Sequence, residues 1–421
     1  MQSTQTNQQQ EAPSRPSLWR NRDYMLLWSG QLVSNIGSQV SQLAFPLLIL
    51  ALTHSPAQAG IAAALRALPY LILSLPAGAL IDRWDRKLVM IICDVGRALA
   101  LGSIPVALLF GRLTIAQIFI VTTIEGTLFV FFNIAEVACL PRVVARDQLP
   151  AANSQYAATD GIMTIIGPPV GGALYAVGSM FPFLTDAISY TASVISLLFI
   201  KTNFQEKRTA SQRRLWIEIR EGLSWLWHQP LIRFIAILTG GNNLISAGLM
   251  LLLIVLGQRL HASSVSIGLI FTIAGIGGVL GAIVAPFIQK RFTFAQVIIA
   301  SSWVFGLATP LYLIAPNVFV LGLITAAAFI TGPIYNVVQL SYRSALIPDR
   351  LQGRVNSVFR LIAFGGQPIG AALIGFLLQG VGIEITIWFC SIVLLLLAVA
   401  ATFNKHVRHA RPISEVMQEA H

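Results

Sequence analysis

Charge is scarce in this sequence. Asp, Glu, Lys and Arg supply 11% of the 421 residues, against 55% hydrophobic. That balance excludes a disordered chain and is too apolar for an ordinary soluble enzyme. Cysteine is scarcer still. Cys93, Cys139 and Cys390 each lie in or beside an apolar stretch, so neither a disulfide framework nor a zinc site is expected. No two of the six histidines form a metal-ligand pair inside an apolar stretch, and no metal or other cofactor is expected. Acids are outnumbered by bases, 17 to 28, a formal charge of +11. The cations do not form a nucleic-acid footprint, because they sit in short breaks between apolar runs and alternate from break to break. A Gly-rich phosphate loop ending in Lys-Ser/Thr is missing, as are a nucleophile elbow and a zinc-protease helix. ATP hydrolysis and enzymatic chemistry are therefore not expected, and no residue is assigned as catalytic. Met1 to Arg22 is polar, so no cleavable signal peptide is expected.

Long apolar runs are abundant. Twelve are read, at 24–52, 57–81, 88–110, 114–139, 153–178, 181–200, 231–256, 265–288, 294–314, 317–341, 354–379 and 383–403. About twenty such residues make a helix that crosses ~30 Å of hydrocarbon. The fold class is an all-α polytopic membrane protein of twelve helices. The longest break divides it into a tail (1–22), a six-helix bundle (23–200), a linker (201–230), a second six-helix bundle (231–403) and a second tail (404–421). Alternate breaks hold Arg83, Arg86 and Lys87; Arg142 and Arg146; Lys201 through Arg220; Lys290 and Arg291; and Arg343, Arg350 and Arg354. The other breaks hold only Arg112 and Arg259. The positive-inside rule then places both termini in the cytoplasm. A multi-pass protein of the inner (plasma) membrane, working as a monomer, is expected. In the linker, Arg213, Arg214 and Arg220 alternate with Trp216, Leu223, Trp225, Leu226 and Trp227, which suits a helix lying in the headgroup layer.

The two halves repeat. At an offset of 203 residues Gly78 maps to Gly281, Asn133 to Asn336, Asn153-Ser154 to Asn356-Ser357, Gly167 to Gly370 and Gly172 to Gly375. At an offset of 208, Asn35 maps to Asn243 and Gly60 to Gly268.

Charges inside the runs and away from their ends are Arg66, Asp94, Arg97, Glu125, Asp160, Asp186 and Arg360. An acid or base at the bilayer centre costs ~2.5–3.5 kcal/mol, so each needs a partner or a wet cavity. Asp94 precedes Arg97 by one turn and pairs with it locally. Asp186 reads as a packing or capping residue. Glu125 has no cation within a turn and looks to Arg66, to Arg97 or into a cavity. A buried carboxyl prefers its neutral form and a nearby arginine favours the ionised one. Glu125, with Arg66, Asp94 and Arg97, is therefore the candidate proton-coupling set. Gln31, Asn35, Gln39, Asn242, Asn243, Asn336, Gln339 and Gln367 are the candidate polar lining of a cavity between the halves.

Two motifs remain. Gly78-Ala79-Leu80-Ile81-Asp82-Arg83-Trp84-Asp85-Arg86-Lys87 resembles the loop 2–3 signature of the Major Facilitator Superfamily (MFS), with Asp85 where that family usually has glycine. Gly167-Pro168-Pro169-Val170-Gly171-Gly172 resembles the core of the run-five signature of MFS antiporters, with Met163 where an upstream glycine is usual. Further stretches, among them Arg20 to Gln31, Arg66 to Pro69, Gln148 to Asn153 and Glu221 to Leu226, resemble the twelve-span branch that holds macrolide-efflux and enterobactin-export proteins. The resemblance implies the MFS fold and export of small amphipathic molecules against protons by alternating access. A siderophore exporter or a lysophospholipid transporter is the alternative. It also implies that Gly78, Asp82, Arg83, Arg86 and Lys87 latch the halves on the cytoplasmic side. There Asp82 is expected to meet the start of run eleven near Arg354, and Arg86 to pair with Glu136.

Overall fold

Capping residues set the helix boundaries. In the computed structural model, which describes residues 18–205 and 215–410, Asn21 accepts from the Tyr24 amide to start α1 (Arg22–Thr53). Ser55, followed by Pro56, starts α2 (Pro56–Ile81), and Asp85 starts α3 (Arg86–Leu109). Asp85, where the resembled motif has glycine, accepts from the Leu88 amide at 3.0 Å. Thr114 caps α4 (Ile115–Val143), and α5 (Leu149–Val177) and α6 (Phe181–Phe199) complete the first bundle. The linker carries α7 (Leu215–His228), followed by α8 (Pro230–Arg259). Ser263 caps α9 (Ser264–Arg291), and a reciprocal Thr293–Gln296 box opens α10 (Phe294–Ala308), extended by a 3-10 turn to Ile314. Asn317 caps α11 (Val318–Leu346). Then come α12 (Gln352–Gly365), α13 (Gln367–Gly380), α14 (Gly382–Phe403) and the short α15 (Lys405–Arg408).

Eleven of these stretches are long and apolar enough to cross a membrane, α12 and α13 counting as one. The span expected at 153–178 is helical as α5 but is not among the eleven. Its 29 residues are ample in length, but Asn153, Ser154, Gln155 and Asp160 load its first half with polar groups. The run expected as one helix at 354–379 is broken at Gly366, two residues before Pro368. Proline removes an amide from the ladder and bends the helix there. No strand occurs among the described residues. The sequence expectations for 1–17, for 206–214 (with Lys207, Arg208, Arg213 and Arg214) and for 411–421 lie outside the described residues.

The bundles pack separately near the termini. Tyr24, Met90, Cys139 and Leu197 belong to one buried cluster, and Leu226, Ile298, Val355 and Val407 to another. The linker helix is not free at its bundle's surface. Leu226 is fully buried, Gly222 lies so close to α12 that a Cβ there would stand 2.7 Å from the Arg354 carbonyl oxygen, and Glu221 accepts from Arg354. Among the described side chains of α7, Arg220, Glu221, Leu223, Ser224, Trp227 and His228 form the exposed face.

Toward the far end the halves join along two seams, α2 on α13 and α5 on α9. A Cβ on Gly60 would stand 2.6 Å from the Ala371 carbonyl, and one on Gly375 2.7 Å from that of Pro56. In the second seam a Cβ on Gly268 would stand 2.6 Å from the Pro168 carbonyl, and one on Gly172 2.3 Å from that of Ser264. Such approach needs residues without side chains. The repeat maps Gly60 to Gly268 and Gly172 to Gly375, so the seams are two copies of one joint. At the opposite end, where α1 begins and α14 ends, Gly78 has no atom near its Cβ position within 4 Å. The molecule is thus closed away from its termini and parted beside them.

Candidate functional site

Between the halves lies a cavity of about 690 Å³. The first half supplies a stripe of α1: Asn35, Ser38, Gln39, Gln42, Phe45 and Pro46. Their spacing of three and four residues puts them on one helical face. From α2 come Arg66 and Tyr70, from α4 Thr122, Glu125 and Phe129, and from α5 Asp160, Met163 and Thr164. The second half supplies Ser246 and Met250 of α8 with Arg360, Phe364 and Gln367 around the α12–α13 break. A narrower extension between α2 and α12, with Ser74, Leu75 and Ser357 in its walls, carries the space toward the termini.

Arg66 and Glu125 form a two-point ion pair in this wall. Arg66 Nε donates to Glu125 Oε2, and Nη2 donates to Oε1 at 3.1 Å. The Glu125 side chain is 3% exposed and that of Arg66 27%. Gly126 makes the pair possible: a Cβ there would come within 2.1 Å of the Arg66 carbonyl oxygen, so α4 sits directly on α2. Across the cavity Arg360 Nη2 donates to the Tyr70 hydroxyl at 2.5 Å, tying α12 to α2.

Asp94 and Arg97 also pair, but outside the cavity lining. The Arg97 guanidinium lies 4.4 Å from the Phe132 ring centroid and 4.3 Å from that of Tyr190, and donates to the Tyr190 hydroxyl at 3.4 Å. Tyr190 in turn bonds Ser38, a lining residue, at 2.8 Å. Asp186 is buried and accepts from Ser41 Oγ at 2.5 Å, joining α6 to α1.

Of the expected lining amides, Asn35, Gln39 and Gln367 face the cavity. Gln31 does not, because its amide donates to Ser193 of α6 at 3.2 Å. Asn243 donates to the Ala363 carbonyl at 2.8 Å, and Gln339 is buried. Asn242 and Asn336 also lie outside the lining. Ser38, Gln42 and Tyr70 are lining residues not expected from the sequence. Ser38 and Gln42 were marked by their helical spacing from Asn35 and Gln39.

The proline-glycine motif holds α5 in place on two sides. A Cβ on Gly167 would stand 2.4 Å from Gln39 Cβ, and one on Gly171 2.8 Å from the Val40 carbonyl, both on α1. Pro168 and Gly172 face α9. The loop after α2 differs from expectation. The Asp82 side chain is exposed and lies 3.5 Å from Arg86 rather than at the start of α12. The start of α12 is instead covered by α7, with Arg354 bonded to Glu221. Arg86 does not pair with Glu136. It donates to the carbonyls of Ala138 at 3.1 Å and Phe204 at 3.4 Å. Lys87 donates to the Leu198 and Ile200 carbonyls at 3.3 and 2.7 Å, closing the end of α6, and Arg83 is exposed. Parting of the halves at this end is what leaves Gly78 and Asp82 without contacts across it.

Residues 14–419 match the family model described as transmembrane secretion effector. The chain belongs to this family of the Major Facilitator Superfamily. It is a multi-pass transporter rather than an enzyme. The multidrug efflux pump Tap of Mycolicibacterium fortuitum is 29% identical over 406 residues, 91% of this chain and 96% of Tap. The enterobactin exporter EntS of Salmonella typhimurium is 24% identical, covering 84% of each chain. Among solved structures, the nucleoside transporter NupG matches 93% of this chain and all of its own, with a TM-score of 0.74 and 13% identity. A bacterial homologue of the human lysosomal transporter Spinster matches 95% of this chain and 98% of its own, with a TM-score of 0.72 and 13% identity. These two establish the MFS fold.

Proposed function

We propose that this transporter exports small amphipathic molecules across the inner (plasma) membrane, as a monomer with cytoplasmic termini, by alternating access driven by proton entry. The Arg66–Glu125 pair in the cavity wall carries this reading. It sets a carboxylate that can take up a proton, and the cation that holds it, in the wall of the space a cargo molecule would fill. Protonating Glu125 releases Arg66 and lets α2 part from α4; loss of the proton restores the pair. Each charge moved through 100 mV is worth ~2.3 kcal/mol, enough to bias the cycle. The names of Tap and EntS support the outward direction, and a cavity whose walls interleave apolar side chains with amides, hydroxyls and charges suits amphipathic cargo. The opening beside the termini is the loading side under this topology. Asp82, Arg83, Arg86 and Lys87, with Gly78, latch that side in the opposite state, when the halves close over it.

Reconstitution into vesicles with an imposed proton gradient and an amphipathic dye tests the reading. Glu125→Gln is expected to retain dye binding while gradient-driven movement falls to that of empty vesicles. Undiminished gradient-driven transport in the variant would remove Glu125 from the coupling role. Dye movement that ignores the gradient in the parent would reject proton antiport.

A further inference from the structure

Among the described residues, four charged side chains line the cavity: Arg66, Glu125, Asp160 and Arg360. Arg66 and Glu125 cancel each other, which leaves Asp160 at −1 on the wall of the first half and Arg360 at +1 on that of the second. Arg360 is held by the Tyr70 hydroxyl. Asp160 differs from the other three. Its backbone carbonyl accepts from Thr164 Oγ1 at 2.8 Å, but its carboxylate has no hydrogen-bond or ion-pair partner among the described residues. It stands exposed to the cavity, one helical turn from Met163, in a chamber whose other walls carry Phe129, Phe364 and Met250.

A carboxylate at this depth of a membrane protein is costly unless something compensates it. Substrate can supply the compensation that the protein does not. We propose that Asp160 is the recognition site for the protonated amine of a cationic amphiphile, whose apolar body lies against Met163, Phe129 and Phe364. This rests on the export reading and adds to it the charge of the cargo and the group that reads it. Arg360 repels a cation from the opposite wall, which fixes the amine on the α5 side. The cavity volume accommodates a drug-sized molecule. Glu125 is a poor competitor for the amine, because both of its oxygens are engaged by Arg66.

The test is equilibrium binding to the full-length protein in detergent, with no gradient, by fluorescence anisotropy of rhodamine 6G (an amphipathic cation) and Nile red (neutral). Losing a charge-assisted hydrogen bond corresponds to a weakening of about tenfold or more. Asp160→Asn is expected to weaken rhodamine 6G by that factor and leave Nile red within about twofold, with Asp160→Glu restoring most of the cation affinity. Unchanged rhodamine 6G affinity in Asp160→Asn would overturn the proposal, as would equal weakening of both dyes in both variants. A parent that binds Nile red but not rhodamine 6G overturns it too, while leaving the export reading intact. A parent that binds neither dye overturns the export of amphipathic molecules itself.

Discussion

Glu125 was legible in the sequence because a carboxylate deep in an apolar run, with no cation within a turn, demands a partner from elsewhere. The structure supplies Arg66, one of the two candidates. Its neighbour Gly126 was not legible, since 33 glycines are spread over the chain and nothing in the sequence marks which one meets a backbone. The lining amides divide for a related reason. Asn35 and Gln39 fall on a polar stripe of α1, whereas Gln31 and Asn243 satisfy themselves against neighbouring helices. In helices apolar on every side, residue type alone does not say which face an amide is on. Gly126→Ala follows from the geometry. Its methyl group would meet the Arg66 carbonyl, so α4 must move off α2 and the ion pair opens. The expected cost is roughly 1–3 kcal/mol of stability, with loss of gradient-driven transport. A melting temperature and transport rate equal to those of the parent would show that the contact is not required.

Among the elements, hydropathy located most spans to within a few residues, and caps explain where they end. What escaped it was contact between elements. The linker was legible as a helix with aromatic and basic residues, but not as one docked on α12. Docking depends on Gly222 and Leu226 meeting a partner more than a hundred residues away. The break in the eleventh span was hidden because Gly365-Gly366 and Pro368 sit within an otherwise continuous apolar run. Two substitutions in α7 separate its contacts. Glu221→Gln removes an ion pair whose side chains are 44% and 35% exposed, and is expected to cost at most about 1 kcal/mol. Gly222→Val forces α7 away from the Arg354 backbone and is expected to cost more, roughly 1–3 kcal/mol. Thermal melting of the two proteins checks the order, and the reverse order would mean that charge rather than close packing holds the helix.

At the scale of the molecule, the duplication was legible through paired asparagines and glycines, and two of those glycine pairs turn out to be the two seams. Which end is closed was not legible, because one sequence must encode both arrangements of the halves. Contacts across the closed end are neutral among the described residues. Ser55 Oγ donates to the Gln379 side chain at 2.5 Å and the Ala57 amide to the same oxygen at 3.2 Å, Ser264 Oγ donates to the Gly172 carbonyl at 2.9 Å, and the glycine seams and apolar side chains add uncharged packing. Dissolved ions therefore have nothing to screen there, even at 1 M where the Debye length is about 3 Å. The barrier is expected to be blind to ionic strength. A cysteine placed at Asn35 and challenged from the far side with an impermeant thiol reagent is expected to react equally slowly in ~0.05 M and ~1 M salt, the three native cysteines being buried. Faster labelling at high salt would reveal a charged lock; otherwise the seal is one of shape alone, and only a change in shape will open it.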